Sequence, residues 1–149
     1  MAIKKPKLKL DHVSVVVEDL DAAVAFFSAL GMTVAGEAPI SGAWVDRING
    51  IKGIKVDIVM MRAPDGQGQL ELTKFHRPKL VALKPVVAPP NALGLRSIMF
   101  NVTSVDDTLA RLRPHGAELV GEVAQYEDIY RLCYVRGPAG IIVALAEEL

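Results

Sequence analysis

The chain is written twice. Asp11-His12-Val13-Ser14-Val15-Val16-Val17 through Gly36-Glu37 lies without a gap on Arg96-Ser97-Ile98-Met99-Phe100-Asn101-Val102 through Gly121-Glu122, at an offset of 85 residues. In that register Val17 meets Val102, Asp21 meets Asp106, Ala25 meets Ala110 and Gly31 meets Gly116. A duplicated module restricts the fold to architectures in which two copies of one small unit stack or join. The repeat fails at one informative place. His12, the one strand histidine, lies opposite Ser97, so any site shared between the halves is asymmetric there.

Periodicity gives each half the same order of elements. Leu10 to Val17 is β-branched and predicts a strand; Glu18-Asp19-Leu20-Asp21 supplies acidic capping residues before Ala22 to Leu30, whose apolar spacing predicts a helix ended by Gly31. Met32 to Ala35 reads as a short strand, Ile54 to Arg62 as a longer one, and Leu70 to Phe75 as its hairpin partner across Pro64-Asp65-Gly66. The second half repeats this with strand Leu95 to Val102, helix Val105 to Pro114, and strands near Glu118 to Gly121, Ile129 to Val135 and Ile141 to Leu145. The expected architecture is therefore α+β: two tandem βαβββ modules, about 8–76 and 93–148, in one domain of 149 residues. A linker at 77–92 carries Pro78, Pro85, Pro89 and Pro90, which exclude regular structure. An unmatched insertion, Ile40 to Gly53, holds Trp44 and three glycines and reads either as a lid over a cavity or as a surface loop.

Composition narrows the partners. Seventeen basic and seventeen acidic residues balance and are spread along the chain, which argues against nucleic acid. The one basic cluster, Lys4-Lys5-Pro6-Lys7-Leu8-Lys9, reads as a solvated leader without the apolar stretch of a secretory signal. No apolar run reaches the ~20 residues of a membrane span. A single cysteine, Cys133, excludes an internal disulfide and makes a reducing cytoplasm the expected compartment. Its apolar surroundings predict a buried, inert thiol.

Each module has one helix for one face of its sheet, so the other face is left to bury or bind something else. Alternation assigns Val13, Val15, Val17, Ile98, Phe100 and Val102 to the helix side and His12, Ser14, Val16, Ser97, Met99 and Asn101 to the other. Placed side by side, the two open faces form a curved trough. Gln69, Glu71 and Thr73 share a face opposite Leu70 and Leu72, and that face is expected to line the same trough.

With these elements the chain resembles the vicinal oxygen chelate superfamily of glyoxalase I, bleomycin-resistance proteins, extradiol dioxygenases, methylmalonyl-CoA epimerase and fosfomycin-resistance enzymes. The resemblance is carried by Leu10 through Phe27, by Pro64-Asp65-Gly66 leading to Leu70-Glu71-Leu72, and by Gly137-Pro138-Ala139-Gly140 leading into the last strand. It implies the trough fold and a homodimer. In metal-using members four strand positions hold a divalent ion with open sites for substrate oxygens. Here those positions match His12, Glu71, Ser97 and Ala144. An imidazole and a carboxylate suit zinc, nickel, iron or manganese; serine is a poor ligand and alanine is none.

Three functional readings follow from the resemblance. The first is a metal-assisted lyase, isomerase or dioxygenase with His12 and Glu71 as catalytic and metal-binding residues on an incomplete site. The second is a metal-free binding protein of the bleomycin-resistance, antibiotic-resistance kind that sequesters a planar or apolar compound in the trough. The third is a metal-free acid/base epimerase in which Glu71 hydrogen-bonds His12 and His12 acts as general base. In each, Ser14, Thr73, Ser97, Met99, Asn101, Arg131 and Ala144 line the substrate trough, with Arg131 available to an anionic substrate. His115 is expected at a helix end and His76 at the surface, and Asp57 is either exposed or in need of a partner.

Overall fold

In the computed structural model, which describes residues 6–149, the element order is β1 (Val13–Val16), α1 (Leu20–Leu30), β2 (Thr33–Ser41), α2 (Ala43–Asn49), β3 (Lys55–Arg62), β4 (Gln69–Arg77), β5 (Ser97–Asn101), α3 (Val105–Leu112), β6 (Glu118–Leu119), β7 (Ala124–Tyr126), β8 (Tyr130–Arg136) and β9 (Ile142–Glu148). Lys4 and Lys5 of the basic leader lie outside the described residues. The strands form two open sheets, ordered β1-β4-β3-β2 and β5-β9-β8-β6, with β7 pairing the free end of β8. In each sheet the first strand runs parallel to the last and the remaining pairings are antiparallel. The duplication in the sequence is thus a duplication in space, and the expected α+β two-module fold is the one observed.

The helices form where the capping chemistry allows. Asp19 accepts the Ala22 N–H at the start of α1, and Gly31, at φ +125°, ends it by donating to the Phe27 and Ser28 carbonyls. Ser104 does the same for α3 by accepting from Asp107. The α3 helix stops at Leu112, two residues before the expected Pro114, and a single 3-10 turn, Arg113–His115, leads to Gly116. Phe26, Phe27 and Leu30 of α1 pack with Val105, Leu109 and Leu112 of α3 and with Val15, Leu72, Val135, Val143 and Leu145 of the two sheets in one core. The modules therefore share a single apolar interior on their helix-bearing faces. Phe26 and Phe27 meet edge to face at 5.2 Å. Arg111 crosses from α3 to donate to the Ala29 carbonyl in the last turn of α1.

Other sequence expectations change as well. The strand expected at Met32 to Ala35 extends to Ser41, because eight of its nine residues find partners along β3, with Ala35 left over at a bulge. The Ile40–Gly53 insertion contains a helix, α2, whose Val45 packs with Ile54, Val56, Ile40 and Phe75. Register places Ile40, Val56 and Phe75 on the sheet face opposite α1, so α2 covers one end of the trough face. Asp46 fastens it: its carboxylate accepts the Gly53 and Ile54 N–H groups at 2.9 Å, and these bonds hold its pKa below the ordinary carboxylate value. In the second module, β7 adds a strand that periodicity did not reveal. The linker that follows β4 has no helix or strand, and its Val86 carbonyl lies against Gly140, where a Cβ would approach that oxygen to 2.8 Å.

Candidate functional site

The open faces are those predicted from alternation. Val15 and Val17 are buried in the core, whereas Ser14, Val16, Met99 and Asn101 are exposed. Parallel pairing sets Ser14 beside Glu71 and Val16 beside Thr73, and β3 continues the face with Met60, Ile58 and Val56. On the second sheet Ser97 pairs with Ile142, and Met99 and Tyr134 both pair with Ala144. Ser14, Val16, Ser97 and Ile142 border one cleft between β1 and β5, so the trough faces of the two modules adjoin within one chain.

A polar network occupies the first-module side. The Nε2 atom of His12 lies 3.4 Å from Oε2 of Glu71, and Nδ1 lies 2.6 Å from Oδ2 of Asp11. The hydroxyls of Ser14 and Thr73 each donate to Oε1 of Glu71 at 3.1 Å. Both Glu71 oxygens are therefore engaged, which is how a carboxylate with a side chain only 23% exposed is accommodated. The two-hydroxyl cradle fixes Glu71, and Asp11 fixes the plane of His12. Contact between His12 and Glu71, expected from the residues, is present; Asp11 was not singled out by the sequence, because an acidic residue preceding a strand reads as surface.

This donor set does not complete a four-ligand metal centre. Its counterparts in the second module are Ser97 and the fully buried, ligand-free Ala144. Among the described residues no three His, Cys, Asp or Glu side chains come together to hold an ion. His12 and Glu71 are two donors, and one oxygen of Glu71 is already taken by two hydroxyls.

Arg131 is not in the trough. Counting along β8 from its pairing with Glu147 places it on the helix side with Cys133 and Val135. It forms a two-pronged ion pair with Asp106 in the first turn of α3, at 3.0 and 3.2 Å, and lies 3.6 Å from Glu147. Hydrogen bonding to Arg131 lowers the Asp106 pKa and raises that of Arg131. Glu147 in turn accepts the Val105 N–H, so this cluster seats α3 on the sheet. Alternation was the available signal: Arg131 is two residues from the buried Cys133. His76 pairs with Asp57 at 2.7 Å on the same side as the helices, which supplies the partner Asp57 needs.

Residues 9–145 match the model of the glyoxalase/bleomycin resistance protein/dioxygenase superfamily. A glyoxalase family protein of known structure from Bacillus cereus is 48% identical, with 99% of each chain covered and a TM-score of 0.92. A glyoxalase family protein from Enterococcus faecalis aligns at 20% identity over 93% of this chain and 97% of its own, with a TM-score of 0.63. An antibiotic-binding protein from Streptomyces aligns at 18% identity over 96% of this chain and 100% of its own, with a TM-score of 0.59. None of the curated protein sequences matches the chain. No helix among the described residues is long and apolar enough to cross a membrane. The duplicated modules, the adjoining trough faces and the matched residues lead to one statement: the chain belongs to the glyoxalase/bleomycin resistance protein/dioxygenase superfamily.

Proposed function

We propose that the trough binds a small oxygenated molecule and that His12 with Glu71 moves a proton on it, as an isomerase or epimerase does. The observation that carries this reading is the chain of contacts Asp11–His12–Glu71. When the neutral imidazole carries its proton on Nδ1 and donates it to Asp11, Nε2 holds a lone pair, and the Glu71 carboxylate 3.4 Å away offers it only acceptors. Nε2 therefore stays open to a substrate hydrogen on the trough side, while Glu71 stands ready as the second acid/base group. A pure sequestering protein would not need this cradle, although the apolar Met60, Met99 and Ile142 would suit such a role.

Metal-assisted chemistry is the weaker reading for this chain, since two of the four expected ligand positions hold Ser97 and Ala144. The superfamily's use of divalent ions is the argument for it, and zinc, nickel, iron or manganese are the ions that His12 and Glu71 would suit. A homodimer is supported by apolar side chains that one chain leaves in water: Val81, Leu83, Val86, Val87 and Leu93, between β4 and β5, are each more than half exposed. The lone buried thiol suits a reducing cytoplasm.

The test is hydrogen exchange at carbon. Small 2-substituted acids and 2-hydroxy ketones are incubated with the protein in deuterium oxide and followed by proton NMR. Catalysed loss of an α-proton signal, abolished in His12→Ala, is expected; binding of panel compounds with no exchange above the buffer rate would leave the sequestering reading in its place.

A further inference from the structure

The seam between the modules holds a half-buried arginine, Arg96, whose buried Nε has no partner among the described residues. Arg96 immediately precedes β5, at the position where the first module has Asp11. Its Nε is buried and has no hydrogen-bond partner, and Arg96 makes no ion pair among the described residues. It borders the cleft between β1 and β5, whose volume is about 240 Å³, and also a larger cavity beside α1 and the linker that Glu18 and Asp19 line. The other walls are the hydroxyls of Ser14 and Ser97, the apolar side chains of Val16, Leu95, Ile141 and Ile142, and neighbouring backbone. Among the described residues lining this cleft, Arg96 is the only charged one.

An unpaired buried donor on a guanidinium is costly, and a fold tolerates one where a bound group supplies the acceptor. The planar fork of arginine matches a carboxylate with two parallel bonds. We propose that Arg96, with Ser97, is an anion subsite that takes the carboxylate of a small organic acid, while the acid's apolar body lies between Val16 and Ile142. This rests on the reading of the trough as a proton-transfer site and names its substrate class. Ser14 joins the two places, since it lines the cleft and its hydroxyl is bonded to Glu71. A carboxylate held at Arg96 therefore orients the carbon beside it toward the His12–Glu71 side of the seam. The charge on Arg96 also stabilises negative charge that develops on that acid when its α-proton leaves.

Sodium benzoate, a carboxylate on a flat apolar body, tests the subsite by NMR of the full chain, reading the arginine Nε–H signals and the Ser97 and Ile142 amides. The expected result is a saturable shift of the Arg96 Nε–H signal, absent with sodium chloride at equal ionic strength. In Arg96→Gln the affinity falls by about tenfold or more, as loss of a charge-assisted bond requires. Arg96→Lys, which keeps the charge without the fork, falls between. His12→Ala retains benzoate binding, so a failed subsite and a failed proton-transfer reading give different patterns. The inference is overturned by an absent or non-saturable shift, by equal binding in Arg96→Gln, or by a response to inorganic phosphate with none to benzoate. It also predicts that Arg96→Gln melts at or above the wild-type temperature, because an uncompensated charge is removed. A fall of more than about 4 °C would make the guanidinium structural and contradict it.

Discussion

Glu71 receives the Thr73 and Ser14 hydroxyls on one oxygen and stands 3.4 Å from His12 on the other. Thr73 is itself buried, at 6% exposure, so Glu71 serves as both a structural acceptor and a reactive group. The two roles separate in two substitutions. Glu71→Ala leaves the Thr73 hydroxyl unanswered and is expected to cost about 1–3 kcal/mol in urea denaturation. Glu71→Gln keeps an oxygen acceptor and is expected to cost less than about 1 kcal/mol while lowering any proton-transfer rate by about a hundredfold. Equal stability losses in the two variants would show that the hydroxyl cradle does not depend on that oxygen.

The Asp106–Arg131 fork predicts an acid-sensitive step in stability. The pKa of Asp106 is lowered in the fold, first by its hydrogen bond to Arg131. A carboxylate with a depressed folded value stabilises fully above its unfolded value, near 3.8, and loses that contribution as pH falls through the lower folded value. Asp106→Asn should therefore flatten the acid limb of a stability-against-pH curve below about pH 4 and leave its shape at neutral pH unchanged. An acid limb identical to wild type would mean the fork contributes nothing in solution.

Gly140 meets the linker backbone closely. It sits at φ +74°, and a Cβ there would lie 2.8 Å from the Val86 carbonyl oxygen, a backbone atom that cannot step aside cheaply. Gly140→Ala is expected to cost about 1–2 kcal/mol for the left-handed backbone alone and to push the linker outward. Limited proteolysis should then cut within residues 79–95 faster than in wild type. An unchanged cleavage rate would show that Val86 is not held there.

Cys133 is 3% exposed and packed in the shared core, and burial raises its thiol pKa above 9.0. The protonated, enclosed thiol should not react with a disulfide dye at pH 8 in the native protein and should react fully in guanidinium. Rapid native labelling would place β8 closer to solvent than the fold has it.

Much of this architecture was legible in the chain because duplication and two-residue alternation report local geometry directly. Val15 and Val17 inward with Ser14 and Val16 outward follow from the strand period alone, and the His12–Glu71 meeting follows once both are assigned to one face. What stayed hidden depends on register and long-range pairing. Arg131 read as a trough residue because its strand's phase was not anchored to Cys133, and its true partner, Asp106, lies 25 residues away on a helix. The helix in the Ile40–Gly53 insertion was hidden by glycines on either side of seven residues whose single buried contact is Val45. Asp11 and Arg96, equivalent residues in the two modules, carry no periodic signal, and their importance lies in what each does or does not pair with.

The most direct test of proton transfer without a completed metal site is the rate of α-deuterium incorporation before and after exhaustive chelation of tag-free protein, with bound metal counted by mass spectrometry. The account predicts a rate unchanged within about twofold when the metal content falls below about a tenth of an ion per chain, since the second module offers Ser97 and Ala144 in place of ligands. A rate that vanishes with the metal and returns on adding zinc, nickel, iron or manganese would contradict it and make His12 and Glu71 ligands of a working ion.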